Sequence, residues 1–155
     1  MKMQRTAALV ALLTTCYLQS PAQTKTPPIN EPNYNKAKIF GDIPAKTDIN
    51  ITTLEGLFKY PVGESINTSI ANGFRFVGTV VSKSNPADRN VKSVVVKSTS
   101  RQKATLTFSK ITNQDGSVRY TGRILSRDAS DAMEIIKEGD KYVIVKKDYY
   151  DMINE

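Results

Sequence analysis

The chain has 155 residues and a formal net charge of +7, with one cysteine, no histidine and no tryptophan. That inventory excludes Ser-His-Asp and Cys-His catalysis, and it removes the one side chain whose ordinary pKa lies near neutrality. A zinc site would have to be assembled from Asp and Glu alone, an unusual donor set for that metal.

Residues 1–22 carry the pattern of a secretory signal. Lys2 and Arg5 give a positive start, Ala7 to Leu18 is an apolar run broken only by Thr14, Thr15 and Cys16, and Ser20-Pro21-Ala22 supplies small residues for cleavage before Gln23. The run is shorter than the roughly 20 apolar residues that a membrane span needs. Removal of this segment leaves 133 residues without a thiol. That is enough for one domain with a single core, held by packing and not by disulfides. The alternative is lipid attachment at Cys16, where Thr15 departs from the small residue (Gly, Ala or Ser) that such a site prefers. Both readings place the protein outside the cytoplasm: periplasmic, extracellular or on the cell surface, with no transmembrane helix in the mature chain.

Residues 23–35 contain Pro27, Pro28 and Pro32 with little apolar content, which reads as an extended arm. The remainder, 36–155, is expected to form one antiparallel β domain. Ile39, Phe40 and Ile43 are its first core candidates. Ile49 and Ile51 share a face of a short strand. Leu54, Leu57 and Phe58 have helical spacing, limited to a turn or two by Gly56 and Pro61. Ile66, Thr68 and Ile70 alternate, and Asn72-Gly73 marks a tight turn.

From Phe74 the strand signal is plain. Phe74, Phe76, Gly78 and Val80 lie on one face, and Val91 to Ser98 forms a second, Val-rich strand. Ala104, Leu106 and Phe108 alternate with Thr105, Thr107 and Ser109. Asn113 to Gly116 is a hairpin loop, after which Val118, Tyr120, Gly122 and Ile124 alternate with Arg119, Thr121 and Arg123. Met133 to Lys137 and Tyr142 to Lys146 flank a further hairpin at Glu138-Gly139-Asp140, and Tyr149, Met152 and Ile153 have the spacing of a short terminal helix. The expected fold is mainly β: an antiparallel β-barrel or β-sandwich of about seven or eight strands, meander-paired, with a short C-terminal helix.

Charge is segregated along the chain. Residues 23–74 are balanced, residues 75–127 hold eleven bases against Asp88 and Asp115, and residues 128–155 hold eight acids against four lysines. The candidate binding face follows from that split. Arg119, Thr121 and Arg123 share one side of a strand, and the adjoining strand presents Thr105, Thr107 and Ser109, with Lys103 and Lys110 at its ends. Guanidinium and ammonium groups beside hydroxyls can hold an anionic group through charge-assisted and neutral hydrogen bonds. The bland alternative is a solvated face whose long basic side chains discourage edge pairing. It is reinforced if the acidic end docks against the basic middle.

No catalytic residue, metal site or cofactor is assigned. Asp128, Asp131 and Glu134 are close in sequence but match no calcium loop, and they read as a solvated turn before a strand. Phe74, Phe76, Phe108 and Tyr120 fall on the apolar side of their strands, which makes them core and not a base-stacking platform, so nucleic acid is not expected as a partner. The functional expectation is an exported, non-enzymatic binding module that recognises an anionic glycan or an acidic envelope protein. One alternative is a small barrel carrying an apolar ligand between Phe74, Phe76, Leu106, Phe108, Tyr120 and Ile124. A second is a small carboxylate-dependent hydrolase, which needs two acids facing one another in a cleft.

Overall fold

The computed structural model describes residues 33 and 35–153. The signal expected over 1–22, including Cys16, and the arm over 23–35 apart from residues 33 and 35 lie outside that range.

Eight antiparallel strands form a single sheet: β1 (Lys46–Asp48), β2 (Ser65–Ala71), β3 (Phe74–Lys83), β4 (Val91–Ser98), β5 (Thr105–Thr112), β6 (Val118–Leu125), β7 (Asp131–Glu138) and β8 (Lys141–Asp148). Their order is β1-β8-β7-β6-β5-β4-β3-β2, so β2 to β8 run as an uninterrupted meander. The sheet curls into a half-barrel. Ile49, the residue after β1, forms one isolated bridge with Ala71 of β2, the opposite edge strand. Turn chemistry sets the meander: Gly73 and Gly116 have φ of +73° and +79°, which glycine adopts without the Cβ clash of other residues.

Helix α1 (Ile51–Glu55) and a 3-10 turn (Gly56–Lys59) connect β1 to β2. Here the strand expected at Ile49 and Ile51 is not formed. Asn50 caps the helix instead, its side-chain oxygen accepting from the amides of Thr52 at 2.9 Å and Thr53 at 3.4 Å. A cap satisfies donors that a single helical turn leaves open, and that decides against the weak alternation. Five residues cannot sustain a helix alone. Leu54 and Leu57 are completely buried, and that docking holds α1 and the turn in place.

Alternation divides each strand between two faces. Phe74, Phe76, Val80, Val94, Val96, Leu106, Phe108, Ile124, Met133, Ile135 and Ile144 fill the concave face, and Phe40, Ile43, Leu54 and Leu57 belong to the same core cluster. Phe58 stacks on Phe108 with centroids 5.3 Å apart, Phe108 on Tyr120 at 5.9 Å, and Phe40 meets Phe74 edge-on at 6.3 Å.

A strap over residues 36–43 ties this core to the far side of the sheet. Ala37 bridges Ala129, and both carboxylate oxygens of Asp131 accept backbone amides, from Ile39 at 2.8 Å and Phe40 at 3.0 Å. Asp131 is buried and is not the solvated turn residue expected. Its burial is compensated because the carboxylate replaces the water that two strap amides would otherwise bind. Arg101 closes the strap with two bonds to Asp42 and one to the carbonyl of Ile39, its guanidinium lying over the rings of Phe40 and Phe74. The arginine holds the Asp42 carboxyl below its ordinary pKa.

Helix α2 (Tyr149–Ile153) follows β8 without a loop. The amide of Tyr149 donates to the carbonyl of Ser130 at 2.9 Å, and Met152 is buried. Among the described residues no helix is long and apolar enough to cross a membrane.

Candidate functional site

Strands β5 and β6 pair in full register, with Thr107 opposite Arg123, Ser109 opposite Thr121 and Thr105 opposite Leu125. Because side chains alternate, these residues share the outer face, away from the aromatic core. A hydroxyl ladder extends toward β4, where Ser109 Oγ donates to Ser93 Oγ at 3.0 Å.

Two pockets follow one another along this face. The first, about 370 Å³, is lined by Thr107, Ser109, Thr121, Arg123, Glu134 and Met152. The second, about 560 Å³, is lined by Lys97, Lys103, Thr105, Arg127, Asp128 and Tyr149. Thr105 and Thr107 are successive outward residues of β5, so the two pockets, which share no lining residue, are neighbours along an outer groove of β5 and β6. Helix α2 contributes an apolar residue to each end of it, Tyr149 to one pocket and Met152 to the other. The groove therefore combines three threonines and a serine with four bases against two carboxylates.

Of the seven expected site residues, Lys103, Thr105, Thr107, Thr121 and Arg123 line this groove. Arg119 is opposite Ile111, exposed on the same face but beyond both pockets. Lys110 is displaced. It is an even-numbered residue of β5, paired with Tyr120, and therefore belongs to the concave face. There its ammonium donates to Glu55 Oε1 at 2.7 Å and lies over the Tyr120 ring, while the Tyr120 hydroxyl donates to the same carboxylate oxygen at 2.7 Å. Lys110 and Tyr120 together hold the Glu55 carboxyl below its usual range, and the carboxylate in turn raises the lysine. Burial raises Tyr120 further. This cluster fastens α1 to the sheet.

Lys103 occupies the turn between β4 and β5 with φ of 50°, a left-handed conformation uncommon outside glycine. Its ammonium is 2.6 Å from Asp128 Oδ2. The pairing raises the lysine pKa and lowers that of the aspartate. Glu134 is opposite Arg123 across β6 and β7, and its Oε2 is 2.9 Å from the Lys147 ammonium. The three sequence-adjacent carboxylates thus take separate partners: Asp128 a lysine, Asp131 two backbone amides, Glu134 a lysine on β8. Among the described residues no cluster of three or more carboxylates, His or Cys is arranged to hold a metal.

Lys97, Arg127, Glu134, Tyr149 and Met152 were not among the expected binding residues. Arg127 was within reach, since it continues the outward series Arg119, Thr121, Arg123, Leu125. Lys97 becomes visible only once the β4–β5 register is known, which sets it opposite Thr105. Tyr149 and Met152 arrive through the fold-back of α2, for which the local sequence has no signal.

The side chains expected to line an apolar cargo site have neighbours instead. Phe74, Phe76, Leu106, Phe108 and Ile124 are fully buried in the core cluster that α1, the 3-10 turn and the strap complete. No known protein family matches this chain, and neither a curated protein nor a solved structure matches it significantly.

Proposed function

We propose that the chain is an exported, non-enzymatic binding module that holds an acidic polysaccharide in the outer groove of β5 and β6. The observation that carries this reading is the convergence of Thr105, Thr107, Ser109 and Thr121 with Lys97, Lys103, Arg123 and Arg127 along one face. An acidic polysaccharide offers an alternation of anionic and hydroxyl groups along a narrow chain. The bases hold the former and the threonines exchange hydrogen bonds with the latter. Two neighbouring pockets, each bordered by a residue of α2, suit a linear polymer better than the broad surface of a folded acidic protein.

The concave side supports the same choice. It is filled by the protein's own side chains and leaves the outer face as the surface with exposed, convergent polar groups. The separate engagement of Asp128, Asp131 and Glu134 favours binding over hydrolysis.

The test uses immobilised polygalacturonate and dextran sulfate, with neutral dextran as reference. The wild-type protein binds both acidic polymers and not dextran, with affinity falling as salt rises. The Arg119→Glu/Arg123→Glu variant loses at least tenfold in affinity while keeping its β-sheet circular dichroism. Equal binding to dextran, or acidic-polymer binding unchanged in the variant, overturns the proposal. So does capture of an acidic envelope protein by the same face with no polysaccharide bound.

A further inference from the structure

The second pocket of the groove contains an arrangement that the general charge of the face does not require. Asp128 turns its carboxylate onto Lys103, and Lys97 and Arg127 line the same space with Thr105. Tyr149 of α2 lines the same pocket. Lys36 lies over that ring, its ammonium 5.3 Å from the centroid, and also donates to the carbonyl of Arg127 at 2.6 Å. The Tyr150 ring meets Tyr149 edge-on with centroids 5.5 Å apart, so Lys36 and Tyr150 together fix the ring.

Resting on the polysaccharide reading above, we infer that this pocket is a subsite for a carboxylated sugar, a uronate, and that Asp128 is its built-in competitor. The Asp128 carboxylate pairs with Lys103 as a ligand carboxylate would. A bound uronate takes over that lysine and gains Arg127 and Lys97, its ring packs against the part of Tyr149 that lines the pocket, and Thr105 bonds a ring hydroxyl. The choice of carboxylate over sulfate follows from Asp128 itself. A planar carboxylate is the group this corner already accommodates, within 2.6 Å of the ammonium. The exchange substitutes one charge-assisted hydrogen bond for another, so affinity comes from the additional bases and the ring contact. Aromatic side chains supply such contact at small entropic cost.

The consequence distinguishes this subsite from a generally basic surface. Asp128→Asn frees Lys103 and raises affinity for polygalacturonate by about tenfold, a change of about 1.4 kcal/mol. Asp140→Asn removes the same charge at the tip of the β7–β8 hairpin and changes affinity less than twofold. Tyr149→Ala lowers affinity at least fivefold, and Tyr149→Phe retains it. In all cases the wild-type protein prefers polygalacturonate to dextran sulfate at equal charge density. Measurement is by titration calorimetry with short oligogalacturonates at fixed salt.

If Asp128→Asn and Asp140→Asn behave alike, or dextran sulfate is preferred, the subsite is overturned while groove binding through Arg123 survives. If wild-type protein binds neither acidic polymer, both readings fall together. Should Tyr149→Ala unfold, the Asp128→Asn and Asp140→Asn comparison still decides, since both replaced side chains are at the surface.

Discussion

On the concave face of β5 and β6, Leu106, Phe108 and Ile124 are completely buried, whereas Thr107, Thr121 and Arg123, their immediate neighbours along the same strands, line an open pocket. The two faces share a backbone and a register yet answer to different demands. The inner face supplies the free energy of folding through apolar burial, at about 25 cal/mol per Å². The outer face contributes little beyond its hydrogen bonds, which leaves its residues available for recognition. A strand that alternates in this way can serve both folding and the proposed binding without interference, because each side chain reports to one face only.

That separation is open to attack from either side. The largest effect is expected from Phe108→Ala, which removes a ring packed between Phe58 and Tyr120 and costs about 3–5 kcal/mol in a denaturant titration. A cost under about 1 kcal/mol would show that the concave face is not the core. Next comes Asp131→Ala, which strands the amides of Ile39 and Phe40. About 1–3 kcal/mol is expected, with amide exchange of those two residues accelerating before that of β5 and β6.

Glu55→Gln is smaller, because the Glu55–Lys110 pair is about one-third exposed and solvent screens it to about 0.5–1 kcal/mol at neutral pH. Its pH dependence has a definite sign. Lys110 and Tyr120 lower the folded pKa of Glu55, so its contribution is complete above the ordinary glutamate value, about 4.3, and is lost as pH falls through the lower folded value. The raised lysine behaves oppositely, complete below its ordinary value and lost as pH rises through the higher one. The stability difference between wild type and Glu55→Gln therefore closes at acid pH. A gap that stays constant from pH 7 to pH 3 would remove Glu55 as an ionic fastener.

The smallest effect on folding belongs to Thr107→Val with Thr121→Val, within about 0.5 kcal/mol. These substitutions nevertheless weaken polygalacturonate binding severalfold. If both stability and binding are untouched, the outer hydroxyls are simply solvated, and the contrast between faces has no functional side.

Much of this contrast was legible in the residues. Alternation at Leu106, Phe108, Ile124 and their threonine and arginine neighbours placed them correctly, because a period of two has only one way to divide a strand between core and solvent. The hairpins at Asn72-Gly73 and Asn113 to Gly116 were equally clear. Lys110 was misplaced by treating it as the end of a strand and not as an even-numbered member of it, and its partner, Glu55, lies 55 residues away. Asp131 was unreadable for a different reason. An acid at a strand start has the same local signature whether it meets water or two distant amides. The choice between barrel and sandwich resolves as one curled sheet because all eight strands pair in a single order, and Ile49, just after β1, reaches Ala71 of β2 by one isolated bridge. Such closure depends on edge length and curvature, which no local pattern encodes.

The contact between Lys36 and the rings of Tyr149 and Tyr150 has a practical side. The strap over residues 36–43 and helix α2 are fastened to each other beside the second pocket. A probe coupled to residues 36–43 or to α2 therefore sits beside the second pocket. A tag, resin or sensor surface coupled there would crowd the second pocket and report a weakened affinity that belongs to the coupling. The β7–β8 tip at Gly139, some eight residues along the sheet from Asp131, is the place to hold this molecule while asking what it binds.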